Sequence, residues 1–490
     1  MQVGQTVLFL HNRYIRAKMK ICFVQKEAFP YFGILSLCGY LKQRGVMPAV
    51  LIADLEKNLN EKLKEIKPDL IGISIMTTEH TWLVEISREI KRDFPDIPIV
   101  AGGVHAILYP KAVLQIPGID YVCTGEGELA LTSLCDSIKK GRADVKNIKG
   151  IGYRNEENTI INEGESLLDN LSSHFDDREV YYRQYPVFRN DELKQFIASR
   201  GCPYKCAFCF NEQLMDIFKS KGKYVRMKET EHFIKEIQLV KESAVMKSVF
   251  FADDLFTMNK SWLRRFLPLY KEKISIPYMC TTRANLMDEE IASLLKDSGC
   301  HTVSFGIETG NEKIRREILQ KKITDEEIIN CGNILKKNGI RIQTSNMFCL
   351  PGETVDDAFD TVRLNIKIRS DFTYSTLFMP FPETNLAKYC IENGYLNKEF
   401  SFADLPKSFL THSILKLKDK EKIENIQKVS HFLIRFPFLV APIEKVIKAF
   451  KFKWLFYQLL FIGTFLRYKA ERQISFLNAV KFLWRFRKSF

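Results

Sequence analysis

Three cysteines stand together in the segment SRGCPYKCAFCFNE (199–212): Cys202, Cys206 and Cys209, separated by three residues and then by two. The other nine cysteines of the chain are scattered. Three thiolates at this spacing can bind three irons of a [4Fe–4S] cube and leave the fourth iron open to an outside ligand. An electron-transfer ferredoxin would bring four cysteines, and a structural zinc site would show Cys-x₂-Cys pairs among four protein ligands. No fourth Cys or His lies close by in the sequence. The pattern therefore points to a cluster whose open corner takes a substrate or cosubstrate.

More polar residues fall where strands are expected to end. "FFADDLF" places Asp253 and Asp254 after an apolar run, "TTRANL" offers Arg283, and "FGIETGNEKI" offers Glu308. Paired acids at such a position can equally cap the turn that follows. With these elements the chain resembles the radical S-adenosylmethionine (SAM) superfamily, whose defining motif is Cys-x₃-Cys-x-aromatic-Cys. Phe208 holds the aromatic position, which the resemblance sets near the adenine of SAM. The resemblance also implies that the amino and carboxylate groups of SAM chelate the open iron. Reduction of the cluster would then break the S–C5′ bond of SAM. By the same resemblance either Asp253 or Asp254 meets the methionine amino group, Arg283 the SAM carboxylate and Glu308 the ribose hydroxyls. "LPGET" (350–354) and "PFPETNL" (380–386) fit too, although Glu383 stands where relatives often have Gly. The likeness covers roughly residues 194–390.

A series of strands and helices has to hold these groups. "KQFIASRG" (194–201), "SVFFADD" (248–254), "YMCTTRAN" (278–285), "HTVSFGIETG" (301–310), "IRIQTSNMFCLPG" (340–352) and "DFTYSTLFMPFP" (371–382) read as strands separated by helical stretches. Repeated strand-then-helix units predict a partial or full (β/α) barrel with its site at the C-terminal strand ends. Upstream, "KICFVQ", "AVLIAD", "DLIGISIM", "PIVAGG" and "DYVCTGEG" alternate with amphipathic stretches between Met19 and about Lys140. That alternation predicts a doubly wound, Rossmann-like parallel sheet. Ligands of such sheets lie at the carboxyl ends of the strands, here occupied by Ser74, Gly102, Gly103, Gly125 and Glu126. Glycines there are either plain turn residues or places where a ligand approaches the backbone closely.

A doubly wound domain ahead of the barrel, with "GGVHA" and "GEGE" in these places, resembles the cobalamin-binding subfamily. Under that resemblance Ser74, Gly102, Gly103, Gly125 and Glu126 become cobalamin contacts. The Asp-x-His-x-x-Gly signature that supplies a cobalt ligand elsewhere is missing from "VQKEAFPYFG" (24–33), where only Gly33 survives. Cobalamin is therefore expected to bind with no protein His below the cobalt. The alternative is a domain that has lost its cofactor. His105 is read as an ordinary polar contact.

The expected domains are 1–145 (cobalamin-binding), 146–192 (connector), 193–390 (radical SAM barrel) and 391–490 (helical, basic and aromatic). A chain of 490 residues has room for about three domains of roughly 150 residues. Twelve cysteines without a regular framework suggest reduced thiols and a cytoplasmic setting. The first residues lack a positive n-region and a cleavage site. No apolar run reaches the ~18 residues of a membrane span. Of the net charge of +14, ten units lie in residues 431–490, where twelve Lys/Arg face two Glu. That concentration argues against nucleic-acid binding by the whole protein. The tail reads either as an amphipathic surface that touches a membrane peripherally or as a helical cap on the barrel.

The expected function is a cobalamin-dependent radical SAM enzyme, a methyltransferase acting on an unactivated carbon of a small and apolar molecule. Its partners would be that substrate and an electron donor such as flavodoxin or ferredoxin. The alternatives are a relative that uses cobalamin without methyl transfer, by oxidative cyclisation or rearrangement, and a cobalamin module with vestigial radical machinery. A methylthiotransferase is disfavoured, because Cys22, Cys38, Cys123 and Cys135 are too dispersed for a second cluster.

Overall fold

In the computed structural model the described residues are 19–141, 145–155, 158–406 and 408–449. They form two compact units. The first gathers the described residues up to Leu168 together with Ser173–Phe188, and the second holds Asp169–Ser172 and those from Arg189 onward.

The first unit is built on a seven-stranded sheet in the order β2-β1-β3-β4-β5-β6-β7. The strands β1 (Lys20–Gln25), β2 (Met47–Ile52), β3 (Leu70–Ser74), β4 (Ile99–Gly102) and β5 (Tyr121–Cys123) run parallel. Their sequences are continuous apolar runs because helices cover both faces: five of the six residues of β1 are buried. The covering helices are α1 (Phe32–Gln43), α2 (Leu59–Ile66), α3 (His80–Asp93) and α4 (Gly127–Lys139). Strand order reverses between β1 and β3, which makes this the switch point where such sheets open a crevice. Beyond β5 the hairpin β6 (Ile151–Asn155) and β7 (Asn158–Ile161) extends the sheet antiparallel. Residues 173–188 also pack into this unit. Tyr181 donates its hydroxyl to Gln25 Oε1, and Tyr185 Oη accepts from Ile52 N at 2.8 Å while donating to Glu56 Oε1 at 2.6 Å.

The second unit carries a six-stranded parallel sheet in the order β15-β14-β13-β12-β11-β8. These strands are β8 (Leu193–Phe196), β11 (Ser248–Phe251), β12 (Tyr278–Thr281), β13 (Cys300–Glu308), β14 (Arg341–Phe348) and β15 (Phe372–Leu377). A two-stranded antiparallel ribbon of β9 (Ser199–Arg200) and β10 (Arg226–Met227) stands beside it. The helices are α5 (Phe210–Ile217), α6 (Thr230–Ser243), α7 (Lys260–Lys273), α8 (Glu289–Asp297), α9 (Asp325–Lys337), α10 (Val355–Lys367) and α11 (Asn385–Glu392). The first and last strands do not pair, so the barrel is partial. Register explains the two faces. Val249, Phe251, Tyr278, Cys280, Val303, Phe305 and Ile342 share one face and join the helices in the core. Phe250, Thr281, Ser304 and Ser345 occupy the other face and stay half-buried.

Residue periodicity from Ile391 onward predicts helix, yet the chain beyond α11 is mostly loop until α12 (Lys420–Arg435) and α13 (Val440–Ala449). α12 closes the outer face over β15 and α10, burying Ile423, Ile426, Val429 and Leu433. The most basic part of the expected tail, residues 450–490, lies outside the described residues. Among the described residues, no helix is long and apolar enough to cross a membrane.

Candidate functional site

The three-cysteine loop leaves the sheet after β8 and is braced at its base by the β9–β10 ribbon. Gly201 takes φ +84°, and a Cβ there would meet Tyr224 O at 2.6 Å, so only glycine lets the loop turn beside that carbonyl. The loop then tightens through Cys209 N to Cys206 O at 2.9 Å, and Ala207 N is held by Leu319 O at 2.9 Å. Cys209 stands immediately before α5. Cys206 is buried, while Cys202 and Cys209 are half-buried. Phe208 packs half-buried against a small apolar cluster that includes Ile314, Leu350 and Phe378.

Among the described residues no three His, Cys, Asp or Glu groups converge closely enough for one metal ion. Three thiols on one loop suit a cube, which takes one ligand at each of three irons. Burial pushes the Cys209 thiol up to about 12 and raises Cys202. Such thiols lose their protons when iron takes the proton's place, and metal binding here releases acid.

Side chains from distant parts of the chain close around the loop. Arg283, buried, points Nη1 at Cys206 Sγ at 3.7 Å and lays its guanidinium 3.9 Å over the Tyr204 ring. Its remaining donors reach Asn285 Oδ1 at 2.9 Å and Lys322 O at 3.2 Å. Asn211 is the neighbour of Cys209: its Nδ2 lies 3.6 Å from Cys209 Sγ and donates to Asp254 Oδ2 at 3.0 Å. Tyr224 fixes that amide by donating to Asn211 Oδ1 at 2.6 Å.

The Asp-Asp pair is divided by the fold. Asp253 is buried and accepts from Ala198 N at 3.0 Å and from the Ser199 hydroxyl, which ties β11 to the base of the cluster loop. Burial lifts its carboxyl to about 6. Asp254 is exposed and turns toward Asn211 beside Cys209. Glu308, at the end of β13, has φ +68° and accepts from Lys321 Nζ at 2.6 Å. Lys321 also donates to Gly306 O at 2.8 Å. A Cβ on Gly306 would collide with the Glu308 carboxylate and lie 2.6 Å from Lys321 Nζ, so this pair needs glycine beneath it. Glu353 of the LPGET segment is buried, accepts from Leu350 N at 3.1 Å, and has its carboxyl raised to about 8 by burial.

Asn211, Tyr224 and Lys321 were not among the sequence candidates. Asn and Tyr two and fifteen residues past Cys209 carry no motif of their own. Lys321 lies thirteen residues beyond Glu308, and only the fold makes them partners.

In the first unit, adjacent parallel strands bring Ser74, Gly102 and the start of the Gly125 loop to one sheet edge. Ser74 is the register partner of Gly102, and Ile75 N donates to Gly102 O at 3.0 Å. Gly103 takes φ +89°, with Ile75 O 2.6 Å from where a Cβ would stand. A Cβ on Gly102 would meet nothing nearer than Cys123 Cβ at 3.9 Å. Gly103 is thus required by the turn, whereas Gly102 keeps room free at the edge, as a close-fitting planar ligand needs. Glu126 is engaged locally, its Oε2 accepting from Leu168 N at 2.8 Å. His105 is buried, 2.9 Å from His80 Nδ1, and burial depresses it to about 3. Gly33 opens onto free space.

A partial barrel with a three-thiol loop at its mouth, preceded by a doubly wound domain with an open sheet edge, defines the cobalamin-binding class of radical SAM enzymes. Residues 196–364 match the model of the radical SAM superfamily, and residues 24–135 match the B12 binding domain. The chain is 30% identical over 380 residues to an uncharacterized methyltransferase of Pyrococcus horikoshii, covering 75% of this chain and 80% of that one. It is 24% identical over 401 residues to an anaerobic magnesium-protoporphyrin IX monomethyl ester cyclase of Rubrivivax gelatinosus, covering 78% and 69%. The fold matches the radical SAM methyltransferase TsrM of Kitasatospora setae, solved with cobalamin and a [4Fe–4S] cluster, with TM-score 0.64 at 20% identity over 77% of this chain and 78% of that one. The chain belongs to the radical SAM superfamily, in the branch that carries a B12 binding domain. It is a cobalamin-dependent radical SAM enzyme, and its cofactors are a [4Fe–4S] cluster, SAM and cobalamin.

Proposed function

We propose that this enzyme is a methyltransferase that places a methyl group on an unactivated carbon of a small, apolar molecule. The observation that carries the reading is the intact three-thiol loop, with Asn211 and Asp254 beside it, in a chain that also keeps an open-edged B12 binding domain. The methyltransferase relative, of which the chain covers 80%, supports methyl transfer as the outcome. Once bound, these cofactors supply an organic radical able to take hydrogen from carbon and a methyl group that a carbon radical can accept, which a sulfonium alone does not offer a non-nucleophilic carbon.

Cys202, Cys206 and Cys209 would hold the cluster. Arg283 sets its guanidinium against the Cys206 sulfur and so holds that side of the loop in place. Asp254 is the acid free to meet the methionine amino group, while Asp253 holds the strand and loop together. Arg283 is engaged by sulfur, ring and carbonyl, so it steadies the loop more than it reaches for the SAM carboxylate. Glu308, oriented by Lys321, would accept from the ribose hydroxyls, and Phe208 would border the adenine. In the first unit Ser74, Gly102, Gly103 and Gly125 would line the corrin, with Glu126 holding its loop in place through the Leu168 amide. His105, turned onto His80, would not be among the residues that hold the group. The domain limits that go with this reading are 1–145, 146–192, 193–390 and 391–490. An electron donor such as flavodoxin or ferredoxin would reduce the cluster, in a cytoplasmic setting. The basic tail would touch membrane peripherally.

A second reading, cobalamin use without methyl transfer, is favoured by the likeness to the ester cyclase. SAM with a deuterated methyl group separates the two. The proposed enzyme leaves three deuterons on its product, recorded by mass spectrometry of extracts that accumulate the substrate when the protein is absent. An unlabelled product with a new ring would decide for the second reading. Failure of the reconstituted protein to cleave SAM with dithionite would mean the radical machinery is vestigial.

A further inference from the structure

On the reading above, the cluster must receive one electron from outside. The nine cysteines away from the three-thiol loop are all buried and scattered through both units, so the described residues offer no second cluster as a relay. With no such relay, an electron would enter from the surface beside the cluster loop itself.

That surface has a definite character. α5 starts directly after Cys209, and Phe210, Leu214 and Ile217 recur along it at four and three residues, so they share one helix face. Phe210 is 41% and Ile217 39% exposed, large for apolar side chains. The loop that follows, FKSKGKY (218–224), carries Lys219, Lys221 and Lys223. Lys219 and Lys223 are exposed and Lys221 is half-buried. Lys205, from the cluster loop, is exposed too and pairs with Asp216 at 3.4 Å. Apart from that Asp216 and the half-buried Glu212, no acid lies in 204–227.

The lysine loop is fixed to the cluster loop. Phe218 is buried and stacks on Tyr224 with ring centroids 6.2 Å apart. Tyr224 donates to Asn211, the side chain against Cys209 Sγ, and its carbonyl closes on Gly201. A partner resting on these lysines is therefore separated from a cluster thiolate by the Tyr224 and Asn211 side chains.

We propose that the exposed face of α5 and the lysine loop 219–223 form the docking surface for an acidic protein carrying a one-electron flavin or iron–sulfur centre. Phe210 and Ile217 form the apolar centre, and the lysines steer an acidic partner and set its orientation. A small apolar centre inside a charged rim suits a transient electron-transfer encounter, the kind that buries little area. In the step itself the donor loses one electron and the cluster gains it. No bond is made or broken and no proton moves.

The test uses holoenzyme with its cluster reconstituted, and an acidic flavodoxin as the probe. Binding is measured by calorimetry, and reduction by the bleaching of cluster absorbance after mixing with flavodoxin hydroquinone. For the wild type, raising salt from about 0.05 to 0.5 M should weaken binding at least tenfold, because screening shortens the reach of these charges. Lys219→Glu/Lys221→Glu/Lys223→Glu should weaken binding and slow flavodoxin-driven reduction by roughly tenfold or more at low salt and lose most of the salt dependence. Dithionite, a small inorganic reductant, should reduce the variant cluster at the wild-type rate. Lys219→Gln/Lys221→Gln/Lys223→Gln should give an intermediate loss, and Ile217→Ser a loss that salt does not change. Wild-type binding and reduction in the charge-reversed variant would overturn the proposal, as would equal slowing with flavodoxin and dithionite in both lysine variants. If dithionite fails to produce SAM cleavage in the wild type, the fault lies in the functional reading and not in the docking surface.

Discussion

Replacing Lys321 by Met tests whether Glu308 is held for a purpose. Both side chains are only 9% exposed, and their charged atoms are 2.6 Å apart. Removing one member of a buried pair leaves the other charge without compensation, which costs about 3–5 kcal/mol. The loss falls on a residue already in the left-handed region, at φ +68°, where a non-glycine residue carries about 1–2 kcal/mol of strain. For a unit of this size that corresponds to a fall in the melting temperature on the order of 6–12 °C. Glu308→Gln/Lys321→Met should be less destabilised than the sum of the single variants by about 1–3 kcal/mol, since neither charge is then stranded. Affinity for SAM should drop about ten- to a hundredfold in Lys321→Met, because a charge-assisted hydrogen bond is worth about 1.5–3 kcal/mol. Scanning fluorimetry of the reconstituted protein with and without SAM gives the first quantity, and anaerobic equilibrium dialysis the second. If Lys321→Met melts and binds SAM as the wild type does, the pair neither supports the fold nor aims Glu308.

The two adjacent acids should separate cleanly. Asp254→Asn should keep its cluster and its melting temperature but lose about tenfold in SAM affinity, whereas Asp253→Asn should lose about 1–3 kcal/mol of stability with SAM affinity nearly intact. The reverse ranking in dialysis and unfolding would move the ligand role to Asp253. In the first unit, Gly102→Val should fold normally yet take up less cobalamin, and Gly103→Val should be destabilised by more than about 1 kcal/mol whether or not cobalamin is added. Glu79 gives a pH dependence. Burial raises its carboxyl from 4.5 to about 7, although Met76 N at 2.7 Å and the Tyr31 hydroxyl at 3.1 Å both donate to it. The folded state then holds a proton that the unfolded chain has lost, so this stability is full below about 4.5 and falls as pH rises through about 7, by up to about 3 kcal/mol. Glu79→Gln should flatten that part of the stability profile, and an unchanged slope between those pH values would show that Glu79 is ionised in the fold.

The residues that name the chemistry are local, and the sequence by itself determined them. Cys202, Cys206 and Cys209 need only one loop, so their spacing alone is enough to propose them as cluster ligands. β1 was read with both ends correct, because KICFVQ is an apolar run buried on both faces and bounded by charged or polar residues. The strands of the second series were likewise found, though read too long at their C-terminal ends, where "FFADD" and "TTRAN" leave the ladder to become site loops. Short amphipathic pieces were harder. The segment 141–192 reads as a connector with one hairpin, and β6 and β7 supply that hairpin, but the helix Glu179–Gln184, held by two tyrosine hydroxyls, is too short for its periodicity to declare itself. Roles that depend on which way a side chain faces waited for the tertiary structure. Asp253 and Asp254 are indistinguishable in sequence, yet successive residues leaving a strand point to different sides, one into the packed strand-loop junction and the other toward Cys209. Asn211 lies two residues from Cys209, but Asp254 and Tyr224, which orient it, and the Lys321–Glu308 pair join residues 13 to 43 apart. Only a fold with fixed register brings such partners within hydrogen-bond reach, because a bond of about 3 Å depends on the whole chain between them and not on either residue's own neighbours.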